Sequence, residues 1–376
     1  MQRVRIDTDR HVLTALLASG RLTRADIAVA AGVSKPTASE SVRRLVEAGT
    51  LVEAGLKEGG RGRVGVYYEL APHAGLALAL DAGPEGIVAE CVDAAGELRH
   101  REDRMVGRST DPAGLRAALS DVILATERAV GHDLPLRALS VAEPVDRSAA
   151  RLVHLSGSPF VTGEVDLADL VGPHGVVDND VHWAALAEMR EKDAGGDTEE
   201  RDASSFVYVF LGTGLGAAVV DGGRLVTGAR GLAGEIAHVL TSGPDGRAMR
   251  ALDALDALGL LTPGGTAIDV PALRRGWQSE ESRTSLVSVV AGVLASTIAL
   301  TEPADIVLGG PWADLDGLAS CLEQTLAELA PHRVPVRLGR VPSASRVGVR
   351  LAATDLARAD LLAEQLPATS PTTLRP

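Results

Sequence analysis

LGTGLGAAVVDGGRLVTGARGLAGEIAH, residues 211–238, is the stretch that decides the fold. The apolar run FVYVFL that leads into it, at 206–211, has the composition of a strand, and glycines follow it directly. A second strand at 217–220 and a glycine turn predict a β-hairpin with a glycine-rich edge. The strand-to-helix joint of a dinucleotide-binding fold is therefore disfavoured, although a plain tight turn is an alternative for the loop itself. That loop consists of Gly212, Thr213 and Gly214.

The end of the same stretch, AGEIAH at 233–238, carries two polar side chains. Glu235 and His238 stand three residues apart among small and apolar neighbours, and together they can accept from and donate to hydroxyl groups. Here the chain resembles the ROK family (repressors, open reading frames and sugar kinases), whose signature is a GTG loop followed by AGE-x-GH. The resemblance implies an α/β, two-lobed, actin-like or ribonuclease H-like fold with the ligand between the lobes.

A second polar joint lies upstream in VVDNDVHWAALAE, residues 176–188. A short apolar run there delivers Asn179 and Asp180 to the start of a helix. The resemblance implies that Asp180 occupies the place of the kinases' general base and that Asn179 holds a neighbouring hydroxyl. The alternative is that residues 178–180 only cap the helix. Since one polar residue would suffice for a cap, we favour a sugar site.

A third block, PADIVLGGP at 303–311, predicts a buried strand that ends in a glycine pair. It resembles the adenosine-side motif of the family. Together the three blocks extend the resemblance from about residue 74 to residue 360.

The first strand of this domain departs from the family's kinases, which continue it into a D-x-G-G-T-K phosphate loop. LALALDAGPEG at 76–86 keeps Asp81 but has Pro84 and Glu85 where the second glycine and the threonine would stand. Proline lacks a backbone donor, and a glutamate repels a triphosphate. We therefore expect no kinase activity and no bound ATP.

The family's cysteine-rich zinc loop after the histidine is also missing. Residues 239–258 contain no cysteine, and Cys91 and Cys321 are far apart in sequence, so we expect no metal. In the next helix either Asp253 or Asp256 matches a sugar-binding glutamate of the family. We slightly favour Asp253, whose shorter side chain implies a water-bridged contact or none.

Glu143, in VAEPVD at 141–146, stands where the family usually has a glycine at the mouth of the sugar pocket. A carboxylate there can reject a phosphorylated sugar or bind an amino sugar. Because glutamates are mostly exposed, we favour a solvent-facing loop residue.

The first 72 residues have the pattern of a winged helix-turn-helix domain. Apolar residues at helical spacing mark a first helix at 9–19. Thr23 and Asp26 form a capping box for a second helix, and Ser34 caps a third. Short strands at 51–53 and 64–70 flank a basic, glycine-rich wing at 57–63.

The third helix is expected to enter the major groove, with its first residues toward the base edges. The wing suits phosphate or minor-groove contacts. Glu40 on the same face is a contrary sign, and a winged helix that contacts only protein is the alternative. The candidate DNA-binding residues are Ser34, Lys35, Thr37, Ser39, Arg43, Arg44, Arg61 and Arg63.

Charge is divided unevenly along the chain. Residues 1–72 contain 11 Lys and Arg against 8 Asp and Glu, a net charge of +3, whereas the whole chain carries −13. The remainder therefore carries −16, so only the small domain attracts nucleic acid.

These features predict a cytoplasmic protein with domains at 1–72 and 73–365 and a disordered tail at 366–376. Two cysteines without evident partners suit a reducing compartment. We see no signal peptide and no apolar run long enough to cross a membrane. The cleft is expected near 178–240, and the polar stretch 192–205 is expected to be a solvent loop between the lobes.

The predicted function is that of a transcriptional regulator, a repressor by family default, whose degenerate kinase-like body senses a sugar or sugar derivative. The resemblance implies a homodimer or homotetramer that presents two winged helices to a palindromic operator in double-stranded DNA. Two alternatives stay open. One is an active ATP-dependent sugar kinase with a DNA-binding head, and the other is a regulator with a vestigial pocket.

Overall fold

The computed structural model describes residues 2–57, 65–107, 110–155, 158, 160–195, 205–263 and 265–363. The wing residues Arg61 and Arg63, most of the 192–205 stretch and the tail at 366–376 lie outside these residues.

The N-terminal head packs three helices against a small sheet of order β1-β3-β2. Thr23 and Asp26 form the predicted capping box, and the Ser34 side chain accepts from the N–H of Thr37 to cap the third helix. Pairing of Leu22 with Tyr68 adds a strand that the sequence pattern did not predict. The elements are α1 (Gln2–Ser19), β1 (Leu22–Thr23), α2 (Arg24–Ala30), α3 (Lys35–Glu47), β2 (Leu51–Leu56) and β3 (Val66–Leu70).

The first lobe is built on a five-stranded sheet of order β11-β7-β4-β5-β6. Strands β4, β5 and β6 are antiparallel, and β4, β7 and β11 are parallel. A small sheet of order β10-β9-β8 lies beside it. The elements are β4 (Ala77–Gly83), β5 (Gly86–Val92), β6 (Leu98–Arg104), α4 (Pro112–Val130), β7 (Arg137–Val141), β8 (Val145–Asp146), β9 (Arg151–Leu152), β10 (Val165–Asp166), α5 (Ala168–Val171) and β11 (Val176–Asn179).

The second lobe repeats this strand order as β14-β13-β12-β17-β18, again with three antiparallel strands followed by two parallel ones. Parallel neighbours need crossover connections, which are helical here. The elements are α6 (Asp180–Gly195), β12 (Phe206–Leu211), β13 (Leu215–Asp221), β14 (Arg224–Val226), β15 (Leu240–Ser242), β16 (Ala248–Arg250), α7 (Ala251–Ala257), α8 (Val270–Gly276), α9 (Glu280–Thr301), β17 (Asp305–Gly309), α10 (Leu318–Leu329), β18 (Val336–Leu338) and α11 (Ala344–Ala363).

Helices α6 and α11 pack against each other between the two lobes. Val181 and Ala184 of α6 are buried with Tyr208 of the second sheet, whereas α11 packs on β4 and β7 of the first. The duplicated sheets with helices between them are the expected α/β, two-lobed actin-like fold, which is confirmed.

Helix α9 corrects one expectation, because its length and apolar composition would suffice to cross a membrane. Half of its most apolar window is buried inside the protein. Leu286, Val290 and Leu294 belong to one cluster with Val207 and Val209 of β12. The long apolar run is therefore explained by packing as the core helix of the second lobe.

Candidate functional site

A cleft of about 840 Å³ lies between the lobes. Its walls include the β4–β5 turn, the start of α6, the β12–β13 loop, residues 233–238 and the start of α11. These are the connections at which ligands bind in open α/β sheets. The cleft thus brings together the three sequence blocks that carried the family resemblance.

The glycine loop joins β12 to β13 in the predicted hairpin. The N–H of Gly212 donates to the carbonyl of Gly214 at 3.1 Å, and the indole N–H of Trp312 donates to the carbonyl of Gly212 at 2.9 Å. Thr213 and Gly214 line the cleft together with Gly310. Gly310 has φ +97°, and a Cβ there would lie 2.5 Å from the carbonyl oxygen of Leu211. The two glycine segments therefore form one wall of the second lobe.

Asn179 takes part in capping and in holding the first lobe's loop. Its Oδ1 accepts from the N–H of Val181 at 2.9 Å, and its Nδ2 donates to the carbonyl of Glu143 at 3.0 Å. Both interpretations of this joint are therefore compatible, because Asn179 caps the helix and also lines the cleft.

Asp180 is the first residue of α6 and lines the cleft. Burial raises the pKa of Asp180 to about 8, and the neighbouring carboxylates Asp81, Glu235 and Glu143 add to the effect. A pKa of about 8 favours the protonated, hydrogen-bond-donating form of this side chain at neutral pH.

Glu235 and His238 both line the cleft on the side of the second lobe. Glu235 precedes a single 3₁₀ turn, Ile236–His238. Burial raises the pKa of Glu235 to about 7; His182 opposes this effect and Glu143 adds to it. Together with Asn179 and Asp180, these side chains present several donors and acceptors to one space.

Glu143 is buried, which overturns the expectation of a solvent-facing loop residue. Its side chain is among the cleft-lining groups, and the residue is only 4% exposed. Its Oε1 accepts from the N–H groups of Phe160 at 3.1 Å and Val161 at 2.7 Å, and burial raises its pKa despite these bonds. The two donors come from a loop seventeen and eighteen residues away, so local sequence gave no sign of them.

A buried ionic chain beside the cleft was missed by the sequence reading. His182 of α6 contacts Asp178 through Nδ1 at 2.7 Å and the carbonyl of Ala233 through Nε2 at 3.2 Å. Arg147 lies 3.2 Å from the other oxygen of Asp178. Its only sequence signal is the spacing of Asp178 and His182, four apart across the start of a helix.

The first lobe faces the cleft with a different turn. Gly83 pairs with Gly86, so Pro84 and Glu85 form a two-residue turn between β4 and β5. Asp81, at the cleft end of β4, accepts a hydrogen bond from the Ser345 hydroxyl at 2.7 Å. The carboxylate of the family's phosphate loop is thus retained but is held by the first turn of α11.

Asp253 does not line the cleft, so the expectation that it reaches the ligand is corrected. Its carboxylate is paired with Arg250 at 2.7 Å, and Leu252 lines the cleft instead. The alternative, Asp256, is exposed. The region of the absent zinc loop forms the β15–β16 hairpin, and the described residues contain no group of three or more potential metal ligands.

The candidate DNA-binding residues of α3 fall into two groups, which are exposed or half-buried side chains near its start and arginines paired with carboxylates. The first turn of α3 is open, since Ser34, Lys35 and Thr37 are exposed and Ser39 is half-buried. Arg43 is exposed but paired with Glu40 and Glu47 of the same helix.

Arg44 has a structural role in the head rather than a free one. It is half-buried and pairs with Asp9 of α1 at 2.6 Å, and Ser41 donates to the same carboxylate. The expectation of a DNA contact by Arg44 is therefore corrected, because α3 turns this side chain toward α1.

The architecture described so far, a winged helix-turn-helix head on a duplicated two-lobed body, defines the class of protein. Residues 77–250 match the model of the ROK family, and residues 7–52 match the model described as winged helix-turn-helix DNA-binding. The chain therefore combines a ROK family domain with an N-terminal DNA-binding domain.

Relatives and solved structures agree with this assignment. The N-acetylmannosamine kinase of Escherichia fergusonii is 29% identical over 269 residues, which cover 67% of this chain and 88% of the kinase. A ROK family transcriptional regulator, homologous to the E. coli MLC protein, matches 96% of this chain and 99% of its own with a TM-score of 0.62 at 16% identity. A glucokinase from Streptomyces griseus, solved with glucose and AMPPNP, matches 75% of this chain and 100% of its own with a TM-score of 0.53 at 22% identity.

Proposed function

We propose that the protein is a DNA-binding transcriptional regulator that senses a sugar or sugar derivative in the cleft between its lobes. Repression relieved by the effector is the form we favour. We further propose a cytoplasmic homodimer or homotetramer that binds a palindromic operator, because paired winged helices require paired half-sites.

One helix carries this proposal, since α11 extends from the cleft to the head. At its start the Ser345 hydroxyl binds Asp81, and Arg346 lines the cleft. Toward its end Ala357 and Leu361 belong to one buried cluster with Leu13 of α1. A rearrangement of the cleft can therefore move α11 and displace α1, against which α3 packs.

The cleft offers the chemistry that a polyhydroxylated ligand needs. Asn179, Asp180, Glu235 and His238 supply both donors and acceptors in a partly apolar space, which suits a pyranose ring with its hydroxyl groups. If the ligand binds a closed form more tightly, the shift in DNA affinity is limited to that difference in binding free energy.

A second candidate function is an ATP-dependent sugar kinase with an appended head. Asp180 at the start of α6, together with the glycine wall opposite, favours it, as do the N-acetylmannosamine kinases among the relatives. The turn at Pro84 and Glu85 opposes it, because it offers no backbone donor at the proline and brings a negative charge where a phosphate would lie.

The test begins with selection of bound sequences from a random DNA library by the full-length chain. The selected duplex is then titrated by fluorescence anisotropy with and without glucose, N-acetylglucosamine, N-acetylmannosamine, xylose and the 6-phosphates of the hexoses. We expect a palindromic consensus and one sugar class that changes the affinity for DNA by about tenfold or more.

One variant in α3, with a control on the body, tests DNA binding separately from the cleft. Lys35→Ala is expected to weaken DNA binding by roughly tenfold and to reduce its salt dependence, without changing sugar binding. Arg128→Ala, on an exposed part of the body, is the matched control. Clear ADP release with any hexose would favour the kinase, and a stable DNA complex indifferent to every sugar would favour a vestigial pocket.

A further inference from the structure

The hydrogen-bond partners of the buried His182 side chain determine which of its ring nitrogens carry a proton. Nε2 faces the carbonyl oxygen of Ala233 at 3.2 Å, and a carbonyl can only accept, so Nε2 must carry a proton. Nδ1 faces Oδ1 of Asp178 at 2.7 Å. The state of this second nitrogen depends on whether Asp178 is ionised.

Asp178 has the partners of a carboxylate rather than of a carboxylic acid. Its Oδ2 lies 3.2 Å from the guanidinium of Arg147, and its Oδ1 also accepts the backbone N–H of Asn179 at 2.8 Å. Since both oxygens of Asp178 accept from donors, Arg147 and the N–H of Asn179, its Oδ1 acts as an acceptor toward Nδ1 of His182, which therefore donates as well. An imidazole that donates from both nitrogens is a cation.

The segment on the other side of this contact contains a cleft carboxylate. Ala233 is followed by Gly234, whose carbonyl accepts from the N–H of Ala217 on β13, and then by Glu235. Gly234 has φ +101°, and a Cβ there would lie 1.9 Å from the carbonyl oxygen of Ala217. The segment is thus fixed to β13 on one side and to α6 on the other.

We propose that His182 is a positioning residue, which holds residues 233–235 against α6 as an imidazolium and thereby sets the position of Glu235 in the cleft. The contact is a proton-dependent link between the start of α6 and the second lobe's ligand segment. The proposal rests on the proposed function in that Glu235 is taken as a ligand of the effector.

The charged groups around His182 determine whether its contact with residues 233–235 is strengthened or weakened as the pH rises. Burial opposes the charged form, but the hydrogen bond to Asp178 and the contact with Ala233 outweigh it and raise the pKa of His182. Arg147 acts against the cation, and Glu235 is the carboxylate on the cleft side. Because the folded pKa is raised, the link is complete below the unfolded value and is lost as the pH rises through the folded one.

The first experiment reads the protonation state directly. The full-length chain is labelled with ¹⁵N-histidine, and the His182 signals are assigned by their loss in His182→Gln. At a pH of about 7.5, where a free histidine is mostly neutral, both ring nitrogens of His182 are expected to have the ¹⁵N shifts of protonated nitrogens. A single unprotonated nitrogen at this pH would overturn the proposal.

The second experiment measures the positioning of the segment by hydrogen exchange over residues 233–238. Glutamine cannot donate to both Asp178 and Ala233 as the imidazolium does, so His182→Gln is expected to exchange roughly tenfold faster, a factor typical of losing a charge-assisted hydrogen bond. His174→Gln, at an exposed histidine, is the control and is expected to match the wild type.

The wild-type chain provides a test that does not depend on the folding of a variant. After correction for the intrinsic effect of pH, exchange over 233–238 is expected to accelerate above the pKa of His182 and to stay constant below it. Constant protection through that pKa would overturn the proposal. Neither measurement contains DNA or a sugar, so failure of the proposed sensing function leaves both results unchanged.

Discussion

The two lobes repeat one strand order, yet the hairpins with which they face the cleft differ. In the second lobe β12 and β13 are joined by Gly212, Thr213 and Gly214, of which Thr213 and Gly214 line the cleft. In the first lobe β4 and β5 are joined by Pro84 and Glu85, which remove a donor and add a charge. The same topology therefore supports two different turns, one of small residues and one with a proline and a negative charge.

The difference shows that the residues of a turn can change without a change in the sheet that it connects. A two-residue turn closes the first hairpin without disturbing the sheet, because Gly83 pairs directly with Gly86. The side of the cleft that would hold hydroxyls keeps Asp180, Glu235 and His238. Under the proposed function, the hydroxyl-binding side of the cleft is kept while the turn of the first lobe lacks the residues of a phosphate loop.

The largest expected effect is on the free energy of unfolding, which we compare for one position from each lobe. Gly234→Ala places a Cβ 1.9 Å from a backbone oxygen at φ +101°, and we expect it to lower the free energy of unfolding by about 3 kcal/mol. Pro84→Ala in the first lobe's turn is expected to change it by less than about 0.5 kcal/mol. Urea denaturation measures both, and equal losses would show that the first turn is as constrained as the second lobe's segment.

The next prediction concerns the sugar side of the cleft. Glu235→Ala removes a carboxylate that lines the cleft, and we expect roughly a hundredfold weaker binding of the effector, about 2.7 kcal/mol, with operator affinity retained. Calorimetry with the sugar found in the screen and anisotropy with the selected duplex measure the two quantities. Asp256→Ala, on the exposed face of α7, is the control. Loss of DNA binding in Glu235→Ala would assign this residue a structural role instead.

Asp180 and Glu235 lie near other carboxylates in the cleft. We therefore predict that stability depends on pH when no effector is added. The pKa of Asp180 is raised to about 8 and that of Glu235 to about 7. Their protonated forms therefore contribute to the free energy of unfolding near pH 4, and this contribution is lost as the pH rises toward 8. Asp180→Asn should therefore be more stable than the wild type at pH 8, by about 2 kcal/mol, and equal to it at pH 4.

Thermal and urea unfolding across that pH range test the sign of this effect. Asp169→Asn is the control, because Arg116 lowers the pKa of this exposed carboxyl and its removal should not stabilise the chain at high pH. A wild type that becomes more stable between pH 5 and pH 8, relative to Asp180→Asn, would contradict the prediction.

The fold was predictable from sequence because its signals are local. The hairpin at 206–221, the capping box at Thr23 and the strand-to-helix joint at 176–180 each lie within a few neighbouring residues. The start of α1 was predicted seven residues late, since its apolar periodicity begins only at Val12. Domain boundaries and the roles of the individual cleft residues remain predictions.

Two of the errors have a common physical cause, which is that a partner distant in sequence decides the direction of a side chain. Glu143 is buried because Phe160 and Val161 donate to it, and Arg44 is turned toward α1 by Asp9. Asp253 is held outside the cleft by Arg250, which is near in sequence, but the choice depended on the orientation of α7. Residue type and spacing identify such groups without giving their orientation.

The smallest expected effect concerns the negative charge in the turn of the first lobe. Glu85→Thr removes the negative charge of the first lobe's turn, and we expect the affinity for AMPPNP to rise by a factor of about five, or about 1 kcal/mol, the Coulomb energy of two like charges about 4 Å apart in water. The affinity for adenosine should not change, because it carries no charge, and the ratio of the two affinities is the quantity to measure.

Pro84→Gly combined with Glu85→Thr should raise the AMPPNP affinity slightly further, since it also restores a backbone donor. Glu97→Thr, at an exposed glutamate between β5 and β6, is the matched control for removal of one negative charge. A parallel rise for adenosine, or an equal rise in the control, would show that the turn does not repel phosphate. The difference between the lobes would then be one of shape alone.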